Sequence, residues 1–365
     1  MPAIPKGFLG IYRALRTPLA PVGANLLRSR PEELISKLAN ALLDPLGPKE
    51  IEAWIVGCPF PEGAQGWNIA RAAAHLSNKE AAASLVVSSL STSGLEALLS
   101  GVGRVALSGG AVFIAGVDLG SRVPYGGASP DAGLSYELFQ RHAFWPKHLA
   151  AHSFAEQAQV TRAELDAYAS SRRPGRCPIL FGLPIEQDHA LAPLPEVAAP
   201  LQTSPPLISE TGIAPLFTTA HAALPADGAA ALLVAREGAL PIRPLAYVRG
   251  IASAGANGKR AAEALVSACQ KVLTRGEVSA QTLDRLWLDD SYAGVALGAA
   301  RRLGVEPSKL NPFGSSLRCG FAAGAEGLRL TAELALSLSL GEGRFGLAAS
   351  WSEGGTATAI LLEAP

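Results

Sequence analysis

The chain has 365 residues, 48% of them apolar and 17% charged, so it can bury a large core and is not disordered. Lys plus Arg equals Asp plus Glu at 31 each, leaving no net field to draw nucleic acid or an anionic membrane as partner. Cys58, Cys177, Cys269 and Cys319 form no CxxC pair, which argues against a zinc site or disulfide framework and fits a reducing compartment.

With no N-terminal apolar h-region and no apolar run near the roughly 18 residues that span a bilayer, a soluble cytoplasmic protein is expected. The first segment with clear character is IEAWIVGCPF (51–60), an apolar run of strand formers. WNIARAAAHL (67–76) predicts a helix and AAASLVVSSL (81–90) a second strand. In TSGLEALLSGVGRVALSGG the residues Leu95, Leu98, Leu99 and Val102 recur at helical spacing, and AVFIAGVDL (111–119) follows as a strand buried on both faces. Residues 120–210 change character: aromatics, proline clusters, and His142, His148 and His152. Within them TRAELDAYASSRR (161–173) predicts a helix with a Thr161–Glu164 capping box.

The strand–helix order then returns. TLDRLWLDD (282–290) predicts a strand, YAGVALGAARRLG (292–304) a helix, and SKLNPFGSS (308–316) a strand and turn. GAEGLRLTAELALSLSLG (324–341) predicts another helix, before a strand pair in FGLAASW and TATAILLE. STSGLEALLSG and GAEGLRLTAEL sit at matching places, which points to an internal duplication. Three parts follow: one half from 1–119 plus 211–244, a loop-rich insert over 120–210, and a second half over 245–365.

In this order the pieces resemble the thiolase family, nearly end to end. The resemblance rests on RTP (Arg16 to Pro18), NIARAAA (68–74), and SSLSTSGLEAL at the place of the V-C-A-S-G-L nucleophile turn. It extends through EQAQVTRAELDAYA (156–169), DGAAALLVARE (227–237) and LDDSYAGVALGAARRLGVEPSKLNPFG (288–314). It implies an α/β fold of two βαβαβ halves in a five-layer α-β-α-β-α core, with an inserted loop subdomain. It also implies acyl transfer on coenzyme A thioesters through a cysteine nucleophile, a histidine and a second cysteine. Relatives pair through their central sheets, so a homodimer, or pairing with an active thiolase or related acyltransferase, is expected, with AAASLVVSSL as the interface strand.

Carried over position by position, the nucleophilic cysteine falls on Ser91, the histidine on Phe321, the second cysteine on Trp351, and the asparagine of N-E-A-F on Asp289. A cysteine at a helix N-terminus ionises with help from the dipole, whereas a serine hydroxyl needs a hydrogen-bonded base. Phenylalanine and indole can take no proton. Ser91 is therefore expected to be the relic of a nucleophile, a small residue in a capped turn. The alternative is a divergent acyltransferase using Ser91 or Cys319, with His221 of HAALP (221–225) as base.

No cofactor is expected to be required, and no metal site: the three histidines are expected on the surface, and Glu353 in a turn. Lys259 and Arg260 of ANGKR (256–260) are the residues left to meet a phosphate of a coenzyme A thioester.

Overall fold

Residues on either side of a strand face different layers, so a strand apolar on both faces must lie between two of them. The computed structural model describes residues 4–5, 8–47, 51–124, 135–141, 146–180, 182–184, 187–188, 206–207 and 216–365. Strands β1 (Leu9–Arg16) and β2 (Ala20–Pro21) precede helix α1 (Pro31–Leu43). Then come β3 (Ala53–Gly57), α2 (Ile69–Leu76), β4 (Ala83–Val87), α3 (Ser93–Ser108) and β5 (Ala111–Asp118). Helices α4 (Tyr136–Gln140), α5 (Lys147–Gln157) and α6 (Arg162–Ser171) stand between β5 and the long strand β6 (Ala226–Arg236). The remainder runs β7 (Ala246–Gly255), α7 (Glu263–Gly276), β8 (Arg285–Leu288), α8 (Ala293–Leu303) and the short α9 (Ser316–Cys319). It ends with α10 (Ala323–Ser339), β9 (Phe345–Trp351) and β10 (Thr356–Glu363).

The strands follow the order β4-β3-β5-β6-β1-β7-β10-β9-β8. The path narrows at β1 and β7, which share only the pairs Gly10–Tyr247 and Ile11–Ala246. On one side β3 runs parallel to β5, and the β5–β6 and β6–β1 pairs are antiparallel. On the other side β8 runs parallel to β9, and the β9–β10 and β10–β7 pairs are antiparallel. The two series repeat the same orientations, so the duplication read from two helix starts is a duplication of whole sheets.

Alternation then fixes the layers. Trp54 and Val56 of β3, with Phe113 and Ala115 of β5, pack on the outer helices α1 and α2 through Leu38, Leu42 and Ala73. Their neighbours Ile55, Val112 and Ile114 face inward, against Leu95 and Leu98 of α3 and Leu328 of α10. In the second sheet Ala348, Ile360 and Leu362 join that central layer, whereas Leu347, Ala349, Ala359 and Leu361 face Leu265 of α7 and Ala296 of α8. The result is helix, sheet, helix, sheet, helix. Each fully buried Leu or Ile in these faces contributes roughly 1.5–3 kcal/mol relative to exposure.

The matched glycines explain how the central helices come so close. A Cβ on Gly327 of α10 would lie 2.5 Å from Leu95 Cγ of α3, and one on Gly94 of α3 would lie 3.3 Å from Leu328 Cγ of α10. Each helix thus receives the other's leucine where it has no side chain. This reciprocal fit is what the pattern Gly-Leu, repeated in STSGLEAL and GAEGLRL, provides.

Some expectations need correction. The strand expected over 308–316 is reduced to a single parallel bridge between Leu286 and Leu310. Asn311 leaves the β region (φ 41), and its side chain takes the two backbone groups of Leu288 instead: N–H donates to Oδ1 at 2.9 Å, and Nδ2 donates to the carbonyl at 2.8 Å. A polar side chain replaces the ladder. Strand β1 and helices α1 and α7, given no assignment from the sequence alone, complete the outer layers and the seam. His152, expected on the surface, is buried, with its ring 5.9 Å from Phe217 and Nδ1 3.4 Å from the Glu156 carboxylate. His148 is half-buried, and His142 lies outside the described residues. The Thr161–Glu164 capping box is formed as read.

Candidate active site

The 3₁₀ turn Leu90–Thr92 leads directly into α3, and its hydroxyls hold the turn rather than leave it free. Ser93 Oγ donates to the Leu90 carbonyl at 2.6 Å and accepts from the Ser89 N–H at 2.8 Å; Thr92 Oγ1 donates to the Ser89 carbonyl at 2.7 Å. Leu90 adopts φ 49, a left-handed conformation uncommon for a residue with a Cβ. The strained turn presents Ser91 at the helix N-terminus, fully buried.

Opposite Ser91 stands a residue that sequence reasoning passed over, Lys147. It is the first residue of α5, set by Pro146 at the cap, and its side chain is 9% exposed. Its Nζ donates to Ser91 Oγ at 3.4 Å and lies 3.4 Å from Asp289 Oδ2. The same ammonium sits 4.3 Å from the centre of the Phe321 ring and 4.8 Å from that of Trp351. One carboxylate and two ring faces compensate a cation that burial would otherwise disfavour. The four positions singled out in the sequence, Ser91, Asp289, Phe321 and Trp351, thus meet on one lysine.

Each of those four is held by its own element. Asp289 follows β8, donates its N–H to the Ala349 carbonyl at 2.9 Å, and accepts the Ser291 N–H on Oδ1 at 2.9 Å. Phe321 precedes α10 and is pinned by its N–H to the Leu224 carbonyl at 2.9 Å. Trp351 ends β9, fully buried, with an indole N–H that has no partner among the described residues.

The remaining candidates go elsewhere. His221 Nδ1 accepts the Thr218 N–H at 3.1 Å, so the proton is on Nε2, which donates to Asp166 Oδ1 at 2.8 Å. Burial lowers the pKa of this ring, opposed by Asp166. Its hydrogen-bond partners are Thr218 and Asp166 rather than Ser91. Cys319, the alternative nucleophile, is fully buried in the central layer, beside Arg329 and Arg16. Burial pushes its thiol up to about 12, which keeps it protonated. Lys259 and Arg260 are both exposed, and Arg260 pairs with Glu263 one helical turn on. Among the described residues no group of three His, Cys, Asp or Glu is placed to hold a metal ion.

A cavity of about 620 Å³ opens onto this arrangement. Its walls include Asp118, Lys147, Ser291, Tyr292 and Phe321, and otherwise small apolar residues such as Ala223 and Ala226. Of the five residues, Lys147 and Phe321 are on its wall and Ser91, Asp289 and Trp351 are not. Asp118 is held by the Ala323 N–H on Oδ2 at 3.0 Å, and burial pushes its carboxyl up to about 7.

Comparison with known proteins agrees with this geometry. Residues 9–173 match the family profile described as "Thiolase, N-terminal domain", and residues 242–364 match "Thiolase, C-terminal domain". The chain belongs to the thiolase family. A beta-ketoadipyl-CoA thiolase of Pseudomonas aeruginosa is 27% identical over 396 residues, covering 97% of this chain and 98% of that relative. A 3-ketoacyl-CoA thiolase of Shewanella frigidimarina is 28% identical over 369 residues, covering 93% and 94%. Among solved structures, human mitochondrial 3-ketoacyl-CoA thiolase in complex with CoA superposes with a TM-score of 0.87 at 22% identity, covering 98% of both chains. The dimeric peroxisomal thiolase of Saccharomyces cerevisiae gives 0.86 at 19% identity, covering 99% of this chain and 98% of that one. The five-layer fold expected from the resemblance is thereby established, as is membership of the thiolase-like acyltransferase superfamily. Among the described residues no helix is long and apolar enough to cross a membrane.

Proposed function

We propose that this thiolase-family protein has lost thiolase catalysis and acts as a ligand-binding or partner subunit. The observation that carries the reading is Lys147: its ammonium occupies the space between Ser91, Asp289, Phe321 and Trp351 where reacting atoms would have to meet. A hydroxyl is a nucleophile only when a base takes its proton. Here Ser91 accepts from a cation already paired with Asp289, and His221 is engaged by Asp166. The burial of Cys319 leaves the alternative acyltransferase without its second nucleophile.

The protein is read as cytoplasmic and as a homodimer, or as the partner of an active thiolase or related acyltransferase. Strand β4, at the end of the sheet path with Ser84 to Val87 half-buried, is the proposed interface strand. The division into 1–119 plus 211–244, 120–210 and 245–365 belongs to the same proposal. Coenzyme A thioesters are not required ligands in this reading, and the exposed Lys259 and Arg260 are no more than a point of contact for phosphate.

The test is thiolysis of acetoacetyl-CoA by the purified chain with free coenzyme A, followed by loss of the absorbance of the β-ketoacyl enolate as two acetyl-CoA form. No turnover above a Ser91→Ala control is expected. Turnover that disappears with Ser91→Ala would refute the proposal.

A further inference from the structure

Among the described residues the cavity wall carries a buried hydroxyl that the protein itself leaves unsatisfied. Ser291 is 3% exposed, lines the cavity, and its Oγ has no hydrogen-bond partner among the described residues. Its backbone is fixed at both ends, with the N–H on Asp289 Oδ1 at 2.9 Å and the carbonyl accepting from Ala223 N–H at 2.8 Å. The hydroxyl therefore stays at this wall whether or not anything binds it. A buried hydroxyl without a partner carries a desolvation cost that an acceptor on a ligand would remove. Tyr292, next in the chain, also lines the space, and burial pushes its phenol up to about 12, so it too offers a proton rather than a charge.

The charges on the wall decide what kind of acceptor fits. Its cation, Lys147, already has Asp289 at 3.4 Å and Ser91 at 3.4 Å, and the wall also carries Asp118 and the phenol of Tyr292. A ligand carboxylate could only share Lys147 with Asp289, so it would bring a second negative charge to a buried cation whose charge is already balanced. A carbonyl oxygen needs none of this. It can accept from Ser291 while the rest of the molecule lies against Pro21, Ala223, Leu224 and Ala226. The volume of about 620 Å³ falls within the range of small-molecule sites.

We infer that this cavity binds a neutral, medium-chain carbonyl compound, a ketone or ester without a free acid or a nucleotide handle, with Ser291 donating to its carbonyl oxygen. The inference rests on the reading that the site no longer performs thiolysis. It departs from that reading in assigning a ligand class that needs neither coenzyme A nor a nucleophile.

The experiment is isothermal titration of the full chain at neutral pH with methyl hexyl ketone and, separately, with octanoate. Saturable ketone binding is expected, with octanoate at least about tenfold weaker because of the charge it would bury. Ser291→Ala, checked for an unchanged circular dichroism spectrum, should weaken the ketone by about fivefold, the order of one neutral hydrogen bond. It should leave octanoate as it was. Ala223→Phe fills the space from a different segment and should abolish ketone binding, giving a second check if Ser291→Ala does not fold. Octanoate binding as tightly as the ketone, no saturable ketone binding, or ketone binding indifferent to both variants would each overturn the inference. Thiolysis is measured in parallel on the same preparation. Turnover there refutes the loss of catalysis whatever the ketone does, whereas absent turnover with absent ketone binding refutes only the ligand assignment.

Discussion

Removing Lys147 should be costly because of what it leaves behind. Lys147→Met keeps the length and apolar stem but strips the ammonium from Asp289, whose side chain is fully buried. Breaking a buried ion pair from one side costs about 3–5 kcal/mol, since the surviving charge is uncompensated. Lys147 borders the cavity, and Asp289 keeps the Ser291 N–H on its other oxygen, so the lower end, about 3 kcal/mol, is expected. In urea, with a slope of roughly 3 kcal/mol per molar for a chain of this size, the midpoint should fall by about 1 M. Asp289→Asn alone strands the lysine and should cost a similar amount. The double variant Lys147→Met with Asp289→Asn removes both charges and should recover most of the loss. Two single losses of about 3 kcal/mol against a double loss of about 1 give an expected coupling of about 5 kcal/mol from this cycle. Additivity within about 0.5 kcal/mol would mean that the pair does not interact as described.

Three further outcomes follow from other parts of the structure. Gly327→Ala places a Cβ 2.5 Å from Leu95 Cγ and should destabilise by about 1–3 kcal/mol, whereas Gly103→Ala, on α3 with nothing within 4 Å, should stabilise by about 0.5–1 kcal/mol; urea midpoints of the two variants measure both. Asp118 is lifted to about 7 in the fold, above the roughly 3.9 of an unfolded aspartate, so the native state retains a proton that the unfolded chain has released. This group's contribution must therefore decline as pH rises from about 4 to about 7, and the advantage of Asp118→Asn over the parent should grow across that window in urea midpoints, a flat difference arguing against it. Restoring Ser91→Cys and Phe321→His together should give no thiolysis while Lys147 still fills the site; turnover by that double variant would show that the lysine is no barrier.

Local chemistry made much of this protein legible. Apolar alternation in IEAWIVG and AVFIAGVD, helical spacing after Gly94 and the repeat of Gly-Leu at 94–95 and 327–328 are properties of neighbouring residues, and they appear as β3, β5, α3 and α10. Ser91, Asp289, Phe321 and Trp351, singled out through the resemblance, all lie around Lys147, because motif order along the chain carries the layout of the fold. The strand expected over 308–316 failed on a single residue, since Asn311 could supply its own hydrogen bonds in place of a ladder.

Lys147 left no such trace. It lies 56 residues from Ser91 and 142 from Asp289, in a segment whose histidines drew attention instead. Nothing local marks a lysine at a helix start as buried, because burial here depends on a carboxylate from β8 and rings from α10 and β9 arriving at the same point. His221 and Cys319 show the reverse case, residues of reactive type whose partners turned out to be Asp166 and the Arg16–Arg329 neighbourhood. The sequence by itself determined the layers, the duplication and the side chains that stand at positions 91, 289, 321 and 351, since those follow from side-chain identity and spacing. Only the tertiary structure decided that Lys147 stands among those four, because a charge can be held in a dry interior only by groups that packing brings together from distant parts of the chain.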